Sequence, residues 1–379
     1  VTEGAAQSTQ AFASADRVAF VDDLAAAFED ATACVGGRIT RRFRIAEKVV
    51  QVELAGDALL STTVRALAHL EFEDTATPSA AQADLRVLVW DSASTGRPLP
   101  LVFGHLLRYI DNAYGTEREA RGEVFVLTDA RVKTGFYGPG LLSVVDRARG
   151  LAIFWLADAR ALPWYEMGAP LRTILHWWCM SETRHLVHGG CVGTAAGGLL
   201  IGGPGRSGKS TCALSALFAG MLYAGDDYAI IDVAGAGPPI GHSLYSTVKV
   251  KGPVDLPRFP ALGAWLCNPD RIAGANAEKP MAFVHEQRPE QVARSLPIRA
   301  LVLPRYEGGT TCRLSPLSPR AAFERLAPST VAQLPGVGAD AARVMGALAR
   351  KVPAFRLDLG GDVAHIGEVL RGLVQTVTA

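Results

Sequence analysis

The chain has 379 residues, of which 49% are hydrophobic and 20% charged, enough for two domains with sizeable cores and ordinary for a globular protein. Its 38 basic and 37 acidic residues leave a net charge of +1, so bulk electrostatics favour neither nucleic acid nor a membrane surface as a partner. Six scattered cysteines without a C-x-x-C pair read as small core residues of a reducing compartment; with no apolar run near the roughly 20 residues of a membrane span and no signal-peptide pattern, the expected location is cytoplasmic.

Residues 1–15, rich in Ala, Ser, Thr and Gln, are expected to be disordered, and 17–28 to form a helix. Alternating basic and apolar residues over 38–54, interrupted near Ala46-Glu47, predict a hairpin, and 59–70 has helical spacing. A loop over 74–82 precedes a strand over 83–91. Together these make a small α+β domain, 16–120, in which His69 and His105 read as structural. Strands are expected at 123–127, 141–146 and 151–156, with turns at Gly138-Pro139-Gly140 and Arg149-Gly150, leading into a second domain, 121–379. Pro170 marks the start of a helix over 171–180, whose His176, Trp177, Trp178 and Cys179 read as core or domain interface.

The stretch from Val187 to Val233 carries the chemistry. Gly203, Pro204, Gly205, Arg206, Ser207, Gly208, Lys209 and Ser210 match the phosphate-binding (Walker A) pattern G-x-x-x-x-G-K-[ST], followed by Thr211. A short apolar strand, Leu199-Leu200-Ile201, precedes it, and a helix over 209–219 follows, stopping at Gly220. Glycines let the backbone turn its N–H groups inward around phosphate oxygens at the positive end of that helix. Lys209 then neutralises the β- and γ-phosphates and the Ser210 hydroxyl ligates Mg²⁺. Asp226-Asp227 end the next apolar run, 17 positions after Lys209 (226 minus 209), where one carboxylate can hold a metal and its neighbour can take a proton. Asp232, at the end of Ala229-Ile-Ile, is a rival acid that reads better as a turn residue.

His188-Gly189 lies 15 positions before Gly203 (203 minus 188). Alone, this histidine reads as structural. The order His-Gly, strand, phosphate loop, helix, strand, Asp-Asp resembles the HPr kinase/phosphorylase family, whose fold is related to phosphoenolpyruvate carboxykinase. The resemblance implies an α/β, carboxykinase-related P-loop domain behind the smaller α+β domain. It implies ATP and Mg²⁺ as cofactors, His188 as an active-site histidine near the phosphates, and Lys209 and Ser210 as phosphate and metal ligands. Asp226 and Asp227 resemble the acidic pair, one a general base and the other at the metal. The resemblance does not say which is which; Asp227 beside Ser210 is taken as the metal ligand. The loop, GGPGRSGKST, is closer to a common ATPase loop than to the family's own, and the signature of the reverse, phosphate-driven reaction is missing. The better match is to HPr-kinase-like proteins, some of which resemble serine kinases acting on peptide precursors. Self-association is expected by resemblance only.

Beyond Val233 the chain is rich in glycine and proline, over 235–241, 252–260 and 268–280, which reads as lids able to close over a nucleotide. Lys249, Lys251, Lys279 and Arg305 are candidates to neutralise a transferred phosphoryl group, against a plain reading as solvated surface charges. Ser318-Pro319 caps a helix through 326, another helix covers 339–351, a strand covers 354–359, and Asp362 caps a last helix to about 377. The expected function is an ATP- and Mg²⁺-dependent kinase acting on a hydroxyl, a serine of a peptide or protein. The alternatives are a small-metabolite kinase of the same fold and a non-catalytic ATP-binding sensor.

Overall fold

The structure, a computed structural model, describes residues 14–73, 83–100, 123–125, 130–137, 140–274, 277–309, 311–334, 336 and 339–378. The expectations for 1–13, the 74–82 loop, His105, 126–127 and Gly138-Pro139 lie outside the described residues.

The N-terminal part is built on a seven-stranded mixed sheet in the order β1-β2-β3-β7-β6-β5-β4. Its strands are β1 (Arg38–Ile45), β2 (Lys48–Ala55), β3 (Leu85–Asp91), β4 (Glu123–Phe125), β5 (Val132–Tyr137), β6 (Leu141–Asp146) and β7 (Leu151–Leu156). The expected hairpin is β1–β2, and its two turn residues, Ala46 and Glu47, have φ of 47° and 65°. That left-handed pair matches the twist of the flanking strands. β3 runs parallel to both β2 and β7. The boundary expected at residue 120 therefore falls inside this sheet, because the strands from 123 to 156 hydrogen-bond back to 85–91 instead of opening the second part. Helix α1 (Ser14–Cys34) covers one face, burying Val21, Leu24 and Phe28 with Trp90 and Ile153.

The C-terminal part is a nine-stranded sheet organised on one long strand, β16 (Ser295–Gly309). Six strands precede β16 in this sheet: β8 (Arg184–Val187), β9 (Gly190–Thr194), β10 (Gly197–Ile201), β11 (Leu222–Gly225), β12 (Ala229–Asp232) and β13 (Ile240–Ser243). β17 (Arg313–Leu317) and β18 (Ala354–Gly360) follow. β10 and β18 flank β16 in parallel, and these three buried strands are sandwiched between helices, as parallel strands require. One face carries α3 (Lys209–Phe218) and α6 (Val363–Thr378); the other carries α4 (Pro319–Gln333) and α5 (Ala339–Lys351). Helix α2 (Arg172–Cys179) sits between the two sheets, with Trp177 buried and Trp178 partly so, as the core reading expects.

Two departures from the expected elements matter below. The helix expected to stop at 326 continues to Gln333 through Pro328, bringing Ser329 and Thr330 onto its buried side. The stretch 252–260, expected as a lid, instead opens a string of short helical turns that runs on to Arg271 and is pinned by buried Phe259 and Leu262. Between β14 (Thr247–Lys249) and β15 (Met281–Phe283), Asn268 ties the returning chain through its contacts with Glu278, the Lys279 carbonyl and the Met281 amide. Among the described residues no helix is long and apolar enough to cross a membrane.

Candidate active site

Strand order explains why three separated motifs meet. β9 runs antiparallel to β10, with Gly190 opposite Ile201, and β11 runs antiparallel to β9, with Gly225 opposite Cys191. β10 and β11 therefore end at the same edge of the sheet. The His188-Gly189 turn enters β9 at that edge too. Small residues make the approach close enough: a Cβ on Gly189 would stand 2.8 Å from the Ile201 carbonyl oxygen.

After β10 the chain turns through the glycine loop into α3. Gly203 and Gly208 have φ of 126° and 104°, and a Cβ on Gly208 would lie 2.2 Å from Leu359 Cδ1, so glycine is demanded there by both backbone and space. Arg206 also has a left-handed backbone, φ 68°, a strain that clusters at ligand sites. Lys209 folds back along the loop, donating to the Gly203 and Pro204 carbonyls at 2.9 and 3.0 Å. Burial lowers its pKa, while Asp226 and Asp227 act in the opposite sense.

Asp226 and Asp227 form the bend between β11 and β12, and their side chains divide between the floor and the cleft. Asp227 lines the cleft with its side chain 31% exposed. Its Oδ2 is 2.8 Å from Lys249 Nζ and its Oδ1 is 3.6 Å from His188 Nε2. Burial raises its pKa, but the Lys249 charge and His188 outweigh that and hold it well below the usual carboxylate range. Asp226 turns into the floor, 2% exposed, and neither of its oxygens makes a hydrogen bond within normal geometry. Burial and the neighbouring Asp227 raise it to about 7, against weaker lowering by the Ser210 hydroxyl, Lys249 and Lys209. The Ser210 hydroxyl thus acts on Asp226, not on Asp227.

His188 is held from α4. Its Nδ1 is 2.5 Å from Ser329 Oγ, and its amide donates to Thr330 Oγ1 at 3.2 Å. With the Ser329 hydroxyl donating to Nδ1, the Nε2 proton faces Asp227. Tyr228 lies beside the imidazole, ring centroids 5.4 Å apart, and its hydroxyl is bracketed by Arg172 and Gln333.

These groups line one cleft of about 600 Å³, within the range of nucleotide-sized pockets. Of the residues expected at the site, His188, Gly205, Arg206, Gly208, Lys209, Ser210, Thr211 and Asp227 line it. Gly203 and Pro204 serve behind it through their carbonyls, Ser207 is buried with its Oγ lacking a hydrogen-bond partner, and Asp226 lies beneath. Lys249, Lys251 and Lys279 line the cleft, whereas Arg305 does not. Asp232 sits at the far end of β12, paired with Arg184 at 2.7 Å, as its reading as a structural residue requires. Sequence reasoning missed Trp164, Tyr165, Tyr228, Arg258 and Tyr306 on the lining, and Ser329 behind it. Only Tyr228 carried a signal, as the residue directly after the acidic pair.

No protein-family model matches the chain, and no curated protein matches it. Among solved structures it is similar to the HPr(Ser) kinase/phosphatase from Coxiella burnetii, at 10% identity and a TM-score of 0.27, over 51% of this chain and 95% of that one. That likeness is too slight to carry any argument about function.

Proposed function

We propose that the protein is an ATP- and Mg²⁺-dependent kinase that moves the γ-phosphoryl group to a hydroxyl, a serine of a peptide or protein. The observation that supports it most is the division of labour between adjacent acids in a cleft lined by the glycine loop. One is ionised, exposed to the cleft and oriented by Lys249 and His188; the other is buried without a hydrogen-bond partner next to Ser210.

The residues fit a magnesium site. Mg²⁺ takes one or two carboxylates, a hydroxyl and substrate phosphates and keeps several waters, so Ser210 and the orphaned Asp226 are a sufficient protein set. Among the described residues no group of three or more His, Cys, Asp or Glu forms a metal cage, and such a site needs none. This assignment puts Asp226 where the sequence reading entered Asp227. Bound there, the ion would supply charge neutralisation to the β- and γ-phosphates.

In the transfer step the acceptor oxygen forms a bond to the γ-phosphorus as the bond to the bridging oxygen breaks, and the hydroxyl proton passes to Asp227. A carboxylate held low is a weak base, but in a loose transition state the proton moves late, so its first task is to orient the hydroxyl in line. Lys209, released from the loop carbonyls, reaches the phosphates. Lys251 and Lys279 line the same cleft and would meet the charge on the transferred group.

The test is incubation of the full chain with γ-labelled ATP and Mg²⁺ against serine-containing peptides, free serine and simple alcohols. Label on a peptide supports the reading, and label on the small alcohols alone moves the acceptor to a metabolite. Tight nucleotide binding without transfer to any of them would make the protein a sensor instead.

A further inference from the structure

The cleft has an end that the phosphoryl chemistry does not use. There β16 and β18 run in parallel with Tyr306 opposite Leu359, and the Leu359 side chain packs on Gly208 at the head of the loop. Tyr306 is 64% exposed, the most open of three exposed large hydrophobic residues among those described, and it lines the cleft. Beside it the chain turns through Gly360 and Gly361, also lining, and Arg258 fixes that turn by donating to the Gly361 carbonyl at 3.1 Å. An aromatic face, a buried leucine and two side-chain-free residues make a flat slot alongside a phosphate loop. The carboxylate at that end, Asp255, is engaged by Arg258 at 3.6 Å and by the Lys251 amide at 2.9 Å, and so is not free to read the edge of a base.

Resting on the kinase reading above, we infer that this end seats the nucleobase, with the purine ring stacked on Tyr306 against Leu359 and the Gly360-Gly361 backbone. An exposed tyrosine at this place has no packing reason, whereas a stacked purine would bury its face. Stacking accepts any purine because every base presents a π-face. ATP and GTP therefore bind with similar affinity, and Tyr306 is a binding residue for the base and not for the phosphates.

The experiment is calorimetric titration of the full chain, in Mg²⁺, with ATP, GTP and inorganic tripolyphosphate, using wild type, Tyr306→Ala, Tyr306→Phe and Lys209→Ala. Tyr306→Ala should weaken ATP and GTP about tenfold, the low end of a stacked base, and leave tripolyphosphate unchanged, with Tyr306→Phe restoring nucleotide affinity. Unchanged tripolyphosphate binding also shows that the variant is folded. ATP affinity unmoved by Tyr306→Ala, or GTP weaker than ATP by a hundredfold or more, would overturn the stacking site while leaving the phosphate loop standing. Tripolyphosphate that fails to bind wild type, or binds Lys209→Ala equally well, would overturn the kinase reading and this inference with it.

Discussion

At the scale of single residues the site stores a cost to stability in Asp226. Its folded pKa, about 7, lies above the ordinary aspartate value of 3.8. The folded state therefore binds more protons than the unfolded chain between those values, and stability falls as pH rises from about 4 through 7. Asp226→Asn should raise the melting temperature of the nucleotide-free protein by about 3 to 5 °C at pH 8 and by less at pH 5, while abolishing transfer. Thermal melts at the two pH values check this; an Asn variant less stable than wild type at pH 8 would show that the buried charge is already compensated. The loop and the acid pair were legible in the sequence from short patterns with their own chemistry, whereas His188 was drawn in only by the family resemblance, since alone it reads as structural. Ser329 was not: it meets His188 from 141 positions away (329 minus 188), on a helix turn beyond a proline that reads as a stop. Which aspartate faces Ser210 was hidden too, because both acids lie in a bend where no strand alternation sets the direction of a side chain.

At the scale of elements, convergence depends on close backbone contact between the His188 turn and the end of β10. Gly189→Ala would press a methyl carbon to 2.8 Å from the Ile201 carbonyl, and neither backbone can yield cheaply. The expected outcome is a loss of about 1 to 3 kcal/mol in stability and a larger proportional loss of transfer than of nucleotide affinity, because the loop itself is untouched. Urea denaturation with parallel ATP titration measures both, and a variant of wild-type stability and activity would contradict the packing argument. Elements with strong local patterns were read well: the β1–β2 hairpin, α5 and the strand–loop–helix around Gly203 follow from alternation, helical spacing and glycine placement. The stretch 252–260 reads as a lid because prolines and a glycine punctuate it. Phe259 and Leu262 still found the core, and turns rich in proline pack once two apolar anchors are buried.

At the scale of the molecule, the two sheets are not independent. One hydrophobic cluster joins Phe43, Leu67 and Phe154 of the N-terminal part to Tyr228, Tyr245 and Phe283 of the C-terminal part. Arg65 pairs with Glu286 across the same junction, and Tyr245 donates to the Pro170 carbonyl. Equilibrium unfolding should therefore follow one transition by far-UV and near-UV circular dichroism alike, and two separated transitions would show that the shared cluster does not couple the parts. The expected boundary at 120 failed for a related reason. Strand periodicity marks where strands lie, but the parallel pairing of β3 with β7 skips the intervening chain and leaves no local trace.

The same junction holds neutral histidines. Burial lowers His69 to about 3, although one edge of it reaches the surface, and burial also lowers the enclosed His185 and His242. Groups depressed below the usual histidine value contribute stability above it that is lost as pH falls through about 6.5. Asp226 titrates in the opposite sense, so the effect is best seen in the Asp226→Asn background. There, unfolding free energy should drop by about 1 to 2 kcal/mol between pH 7 and 5.5, and His69→Gln should flatten the slope. An unchanged slope would mean that these imidazoles find charge partners once protonated.

The most direct measurement is the structure of the full chain with Mg²⁺ and a non-hydrolysable ATP analogue. The terminal phosphate is expected within hydrogen-bonding distance, about 3 Å, of Lys209 Nζ, with Asp226 and Ser210 on the metal side and Asp227 open on the far side of the phosphorus. A nucleotide seated in another cavity, or a terminal phosphate turned away from Asp227, would contradict the account.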